Sequence, residues 1–151
     1  MSRYQTMYDA IMTALAAIDG TGSYTQDVSD ADSRLQGYTD TPPVFPFLQV
    51  FPLTVPSRAT PNTTQLNQFD RVLTFGWQYM AAIEDPKTQY RVGLGLINDV
   101  QAAMAVDRTH GDTAIDVFVD GEVFDGGEIS TGIARIAMAG GTIRLAMVET
   151  P

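Results

Sequence analysis

Nucleophiles, bases and metal ligands are scarce in this sequence. It has no cysteine and a single histidine, His110. That excludes disulfides, thiolate metal sites, cysteine nucleophiles and multi-histidine metal sites. His110 would serve as a general base only beside a placed nucleophile and an orienting acid, and the sequence offers neither. It reads as a turn histidine before Gly111. Two acidic groups invite a cation. Asp27, Asp30 and Asp32 lie among small residues in a stretch closed by Pro42-Pro43, and Asp116, Asp120, Glu122, Asp125 and Glu128 make the densest group. A calcium loop counted from Asp116 would put Phe118 at its third position and Gly127 at its twelfth, where oxygen ligands are needed. Both groups therefore read as solvated loops. Gly93-Leu94-Gly95 imitates the opening of a dinucleotide fingerprint, yet lacks the third glycine and falls inside a helical pattern. There is no Gly-Lys-Ser/Thr phosphate loop either. No catalytic residue, no metal ligand and no cofactor is expected, and the chain does not read as an enzyme.

Composition points the same way. The chain has 151 residues and 16.4 kDa, room for one domain spanning 1–151. Hydrophobic residues make up 44% and charged residues 18%, a globular balance. Nine Lys+Arg against 18 Asp+Glu give a formal charge of −9, with Lys87 the one lysine. A stable grip on nucleic acid or anionic lipid needs clustered cations that this balance lacks. No apolar run approaches the roughly 18 residues of a membrane span, and no signal-peptide pattern is present, so synthesis and first folding in the cytoplasm are expected.

The elements follow from periodicity. Ser2 and Gln5 fit a capping box, and Tyr4, Met7, Tyr8, Ile11, Leu15 and Ile18 form one helical stripe that Gly20 and Gly22 end. Residues 21–43 read as irregular. The run around Phe45, Phe47, Gln49 and Phe51 predicts a strand buried on both faces, with Pro46 and Pro52 at its ends or on an edge. Residues 52–68, with three prolines, predict a protruding arm, either a loop or a long hairpin into which the flanking strands continue. From Arg71 to Ile83, Leu73, Phe75, Trp77, Tyr79, Ala81 and Ile83 alternate with mostly polar residues, a sheet face packed under helices. Asp85-Pro86 opens a second helix with Tyr90, Leu94, Ile97, Val100 and Met104 as its buried stripe, ending near Asp107. Ile115, Val117 and Val119 predict another strand. Ile133–Ala139 and Thr142–Val148 predict a hairpin turning at Gly140-Gly141, with Met138 facing Ile143 and with Arg135 and Arg144 together on the far face. The expected fold is α+β: a mostly antiparallel or mixed sheet of about five strands, with two helices packed on one face. The uncovered face would carry Arg135, Arg144, Thr74 and Gln78.

Four of these features together resemble the tail-terminator (tail-completion) proteins of long-tailed bacteriophages. They are the amphipathic first helix, the Pro-flanked strand around Phe47–Phe51, the long arm before the Arg71–Ile83 strand, and the helix ending in Val106-Asp107-Arg108-Thr109-His110-Gly111. In that family the helix often ends in an Asp-x-Thr-Leu-Gly-Gly-like turn; here His110 stands where leucine is usual and Asp112 where a second glycine is usual. The resemblance implies a structural virion protein without catalytic residues. Copies would form a hexameric ring that caps the tail tube, meets the head connector at the neck and lets DNA through its lumen without specific binding. Its partners would be itself, the tube protein and the connector protein, with no membrane. Its place would be the virion tail, after assembly in the host bacterial cytoplasm.

Under that reading Pro56, Arg58, Thr60 and Leu66 on the arm contact a neighbour or the tube. Arg135 and Arg144 pair with Asp120, Asp125 or Glu128 of the adjacent subunit, and the lumen is acidic. Another neck or head-completion role in the same particle is an alternative. So is a small-ligand-binding α+β domain, which needs a cavity under Phe75, Trp77 and Tyr79. A charged fraction of 18% is too dilute for a DNA mimic.

Overall fold

The computed structural model describes residues 3–53, 57–61, 69–106, 116–128 and 135–149. Helix α1 (Arg3–Leu15) leads to the short strand β1 (Arg34–Gln36), then β2 (Phe47–Pro52), β3 (Ser57–Pro61) and β4 (Phe69–Ile83). Helix α2 (Gln89–Ala105) precedes β5 (Asp116–Glu128) and β6 (Arg135–Glu149). The strands form one mixed sheet in the order β1-β2-β4-β6-β5, and β3 pairs with the start of β4 in line with β2. Only the β1–β2 pair is parallel; the β2–β4, β3–β4, β4–β6 and β5–β6 pairs are antiparallel. The α+β expectation holds, with both helices on one face of the sheet.

That face is where the core sits. Alternation along β4 turns Leu73, Phe75, Trp77, Tyr79 and Ala81 toward the helices, all almost fully buried. Met7, Ile11 and Leu15 of α1 and Leu96, Val100 and Met104 of α2 meet them in one cluster, joined by Leu48, Val50, Val117, Ile143 and Leu145. The α1 stripe is the one periodicity predicts, Ile18 being buried beyond the helix end. Tyr8 donates its hydroxyl to the Val50 carbonyl oxygen and packs on Phe75 at 4.9 Å between ring centroids, which locks α1 onto β2 and β4. Strand β2 is buried on both faces, Phe47 and Gln49 on one side and Leu48 and Val50 on the other. The Gln49 amide explains how a polar residue is accommodated there: it accepts from Thr39 N and donates to the Thr39 carbonyl and to Gln78 Oε1.

Several expectations change. Residues 21–43 are not all irregular, since a 3-10 turn at Ala31–Ser33 leads into β1, which pairs Arg34 with Leu48 and Gln36 with Val50. Three residues, two of them polar, are too few for a period-two signal. Within 52–68, Pro52 ends β2, and Ser57–Pro61 form β3, which pairs with β4 as the expected continuation of strands into this segment would have it; residues 54–56 and 62–68 lie outside the described residues. Ser2 and His110 lie outside them too.

The largest correction concerns Gly140-Gly141. These residues make no turn. β6 runs straight through them, paired on one side with β4 from Phe69↔Glu149 to Ile83↔Arg135 and on the other with β5. The pair answers to the backbone of the neighbouring strands instead: a Cβ at Gly140 would lie 3.0 Å from the Trp77 carbonyl oxygen, and the indole itself needs the space at Gly121. Trp77, Gly141 and Gly121 are neighbours across three strands, and a Cβ at Gly121 would lie 2.6 Å from the indole. A Cβ at Gly141 would collide with the Asp120 carbonyl. The indole spans this glycine-lined path, and its Nε1 donates to Asp120 O at 3.1 Å. A glycine pair is a turn signal only when no neighbouring strand needs the close approach.

Continuity of β6 also separates its arginines. Arg135 pairs in register with Ile83, on the helix-facing row, whereas Arg144 pairs with Thr74 on the other face. Thr74, Gln78 and Arg144 share the uncovered face as expected; Arg135 does not. The acidic group at 116–128 lies on strand β5 rather than in a loop.

Helix α2 is rolled relative to expectation. Gly93, Leu96, Asp99, Val100, Ala103 and Met104 are buried, while Tyr90 is 67% and Leu94 47% exposed. Gly93 sets the roll, because its missing side chain lets the helix rest on Val123 of β5. Gly95 faces Thr25, so the glycine pair marks close packing and no dinucleotide site.

Candidate assembly interface

Strand β5 is the last in the sheet order and offers a 13-residue edge. Along it Asp116, Phe118, Asp120, Glu122 and Phe124 fall on the uncovered face, since their partners in β6 are the even-numbered residues from Ala146 to Met138. Phe118 is 47% and Phe124 42% exposed, which is unusual for aromatics on a strand whose other row packs in the core. Phe118 lies opposite Arg144 in register. A groove of about 460 Å³ runs between the end of α2 and β5, lined by Gln101, Met104, Phe118 and Arg144. A second, of about 340 Å³, opens at the other end of the same edge among Lys87, Tyr90, Val123 and Phe124. Gln101 Nε2 reaches the edge and donates to Val119 O at 3.4 Å.

The charged residues singled out from sequence are placed differently from one another. Arg135 Nη2 meets Asp125 Oδ2 at 3.1 Å, and Arg144 Nη2 lies 3.8 Å from Asp120 Oδ2. Both pairs form inside the chain, between β5 and β6, so they staple the edge strand to its neighbour. Exposed pairs of this kind contribute at most about 1 kcal/mol. Asp120 also accepts from Thr142 N at 3.0 Å and Thr142 Oγ1 at 2.8 Å, and Asp125 accepts from Gln89 Nε2 at 3.0 Å. Glu128 is the register partner of Arg135, past an irregularity after Asp125. Arg58 and Thr60 belong to β3, where Arg58 stands opposite Arg71 in register. Pro56 and Leu66 lie outside the described residues.

Sequence reasoning did not assign Phe118 or Phe124 to an interface, and it placed Tyr90, 67% exposed, in the buried stripe of α2. The signal was present for the first two. They share parity with Asp120 and Glu122, and alternation puts all four on the face away from the core.

The most heavily engaged polar group is likewise one that no motif marks. Asp99 of α2 is fully buried. Its carboxylate accepts from Thr25 N at 2.7 Å, Thr25 Oγ1 at 3.0 Å, Gln26 N at 3.3 Å and the Tyr79 hydroxyl at 3.1 Å. Burial raises its pKa, and the donors from Thr25, Tyr79 and Gln26 oppose that rise. The Tyr79 phenol is pushed up by burial and by the Asp99 charge. With every donor committed to the fold, this cluster pins the segment after α1 against α2. The acids at 27–32 serve turns: Asp27 accepts from Ser29 N and Oγ, and Asp30 from Asp32 N. No group of three or more metal-ligating side chains occurs among the described residues. Phe75, Trp77 and Tyr79, under which a ligand cavity would have to open, are fully buried in the core. Among the described residues no helix is long and apolar enough to cross a membrane. Comparison of the sequence with protein-family models and with curated proteins finds no match.

Proposed function

We propose that this chain is a tail-terminator subunit: a structural virion protein that assembles into a ring, caps the phage tail tube and joins it to the head connector. The observation that carries the reading is β5, the last strand in the sheet order among the described residues, 13 residues long, with exposed Phe118 facing Arg144 and exposed Phe124 further along. The acids of β5 and the irregularity after Asp125 guard this edge against indiscriminate pairing, while its two exposed aromatics offer a neighbouring subunit a specific contact. The element order supports the reading, since a first amphipathic helix, the strand around Phe47–Phe51, a long strand through Arg71–Ile83 and a second helix follow one another as the resemblance implies. The polar groups support it as well, because Asp99, Asp27, Asp30 and Gln49 are all engaged in holding the fold together. The charge of −9 suits a channel that passes DNA without retaining it.

Co-sedimentation with purified, unterminated tail tubes tests the proposal. Binding is expected to saturate in proportion to the number of tube ends, so that fragmented tubes take up more protein per unit mass. Binding along the tube length, or none by a protein that is demonstrably folded, would overturn it. Another neck protein would bind the connector in preference to the tube, and the same assay with connector separates that alternative.

A further inference from the structure

Two cations of this acidic chain stand without an acidic neighbour. Lys87, in the turn that leads into α2, and Arg91, in its first turn, are both exposed, and neither forms an ion pair among the described residues. Tyr90 and Leu94 lie beside them, 67% and 47% exposed. The outer side of α2 thus presents two apolar side chains and two unpaired positive charges within about two turns. The helix packs into the core through Gly93, Leu96, Val100 and Met104 on its opposite side.

The uncovered face of the sheet has the opposite character. A hollow of about 210 Å³ opens there between Val72 of β4, Arg144 and Ala146 of β6, and Phe118 of β5. Val72 is 38% and Phe118 47% exposed, so its apolar walls are open to a partner's side chain. From the hollow the outward row of β5 runs on through Asp120 and Glu122. Asp120 is held by Thr142 and Arg144, whereas the exposed Glu122 side chain makes no hydrogen bond or ion pair among the described residues. The spacings of the two patches agree to within side-chain reach. A helix rising about 1.5 Å per residue puts Lys87 roughly 10 Å from Leu94, and a strand rising about 3.3 Å per residue puts Glu122 roughly 13 Å from Phe118.

Charge selects the partner. About a two-fold axis, the β5 row would meet acids with Asp120 and Glu122, and the α2 patch would meet cations with Lys87 and Arg91. Each patch is the complement of the other, and a second copy carries both. We infer that the outer side of α2 docks on the uncovered sheet face of a second copy, Leu94 entering the hollow at Val72 and Phe118 and Lys87 reaching Glu122. The two patches lie on opposite faces of the sheet, so a single neighbour cannot use both and the contact runs head to tail. Every partial assembly then keeps one unused patch of each kind until it closes. This contact is how copies would meet in the proposed ring, and it rests on that reading.

Leu94→Glu on the helix and Phe118→Glu on the sheet give the test. Both should melt like the parent, because neither side chain is buried. Light scattering of each variant alone is expected to give the mass of one chain, while the wild type assembles. Mixed, they should form a one-to-one dimer and nothing larger, since one contact then joins two native patches and the other brings two glutamates together. A charge swap checks the alignment. Lys87→Glu and Glu122→Lys should each raise the concentration for half-assembly about tenfold or more, and the two combined in one chain should restore most of it. The contact is overturned if the wild type stays monomeric at the highest concentration measured, if Leu94→Glu or Phe118→Glu assembles like the wild type, if their mixture gains no mass, or if the combined swap recovers nothing. Assembly lost with Phe118→Glu and kept with Leu94→Glu would mean that the sheet face meets something other than α2, which also overturns it. A monomeric wild type that nevertheless bound tube ends would leave the tail-terminator reading standing without this contact.

Discussion

Asp99 shows how much of this fold hangs on one residue. Its carboxylate takes four donors, three of them from Thr25 and Gln26, so an amide there would turn N–H toward N–H. Asp99→Asn is therefore expected to cost about 1–3 kcal/mol despite its matching shape, read as a lower denaturant midpoint at unchanged m value. A variant as stable as the parent would mean that the cluster is not pinning the segment. Tyr8 makes a prediction with a pH axis. Burial, with Tyr4 adding to it, pushes its phenol up to about 12 from the ordinary 10.0. The protonated phenol is the form that donates to Val50 O, so its contribution is fully present below the ordinary value. It is lost as pH rises through about 12. Tyr8→Phe should cost about 1 kcal/mol near neutrality and should lose part of the alkaline dependence seen in the parent. Denaturant curves taken up the alkaline range check both, and a variant with the parent's full pH dependence would contradict the assignment. Neither residue announces this role in sequence. A lone aspartate in a helix is ordinarily solvated, and only the return of Thr25 onto α2 makes this one a buried acceptor.

At the scale of elements, the long amphipathic pieces were legible and the places where two elements touch were not. The α1 stripe and the odd-numbered row of β4 follow directly from period, and the structure keeps them. The α2 stripe needed knowledge of its neighbour, because the roll is fixed by Gly93 on Val123. Two substitutions separate the alternatives. Leu96→Ala should cost about 2–5 kcal/mol as a core truncation. Tyr90→Ser should stay within about 0.5 kcal/mol, because Tyr90 faces outward. The reverse order would restore the stripe that sequence alone suggests. Gly140-Gly141 teaches the same lesson for strands. The pair resembles a turn locally, yet the strands on either side leave no room for a Cβ there, Gly141 standing against the Asp120 carbonyl and Gly140 against that of Trp77. Gly121→Val should accordingly destabilise the sheet through collision with Trp77. The candidate interface was half legible: the charged residues of β5 and β6 were visible in the sequence. Their pairing within the chain, and the outward turn of Phe118 and Phe124, followed only once the strands were known to be continuous.

The molecule as a whole is an acidic α+β domain in which Asp99, Gln49, Asp27 and Asp30 are engaged in holding the fold together. Unterminated tail tubes mixed with the purified protein and imaged by negative stain test the central claim most directly. The account predicts a ring at one end of each tube, of about six copies by image symmetry, with the remaining tube surface bare. Bare ends in the presence of excess folded protein, or decoration along the tube wall, would contradict it.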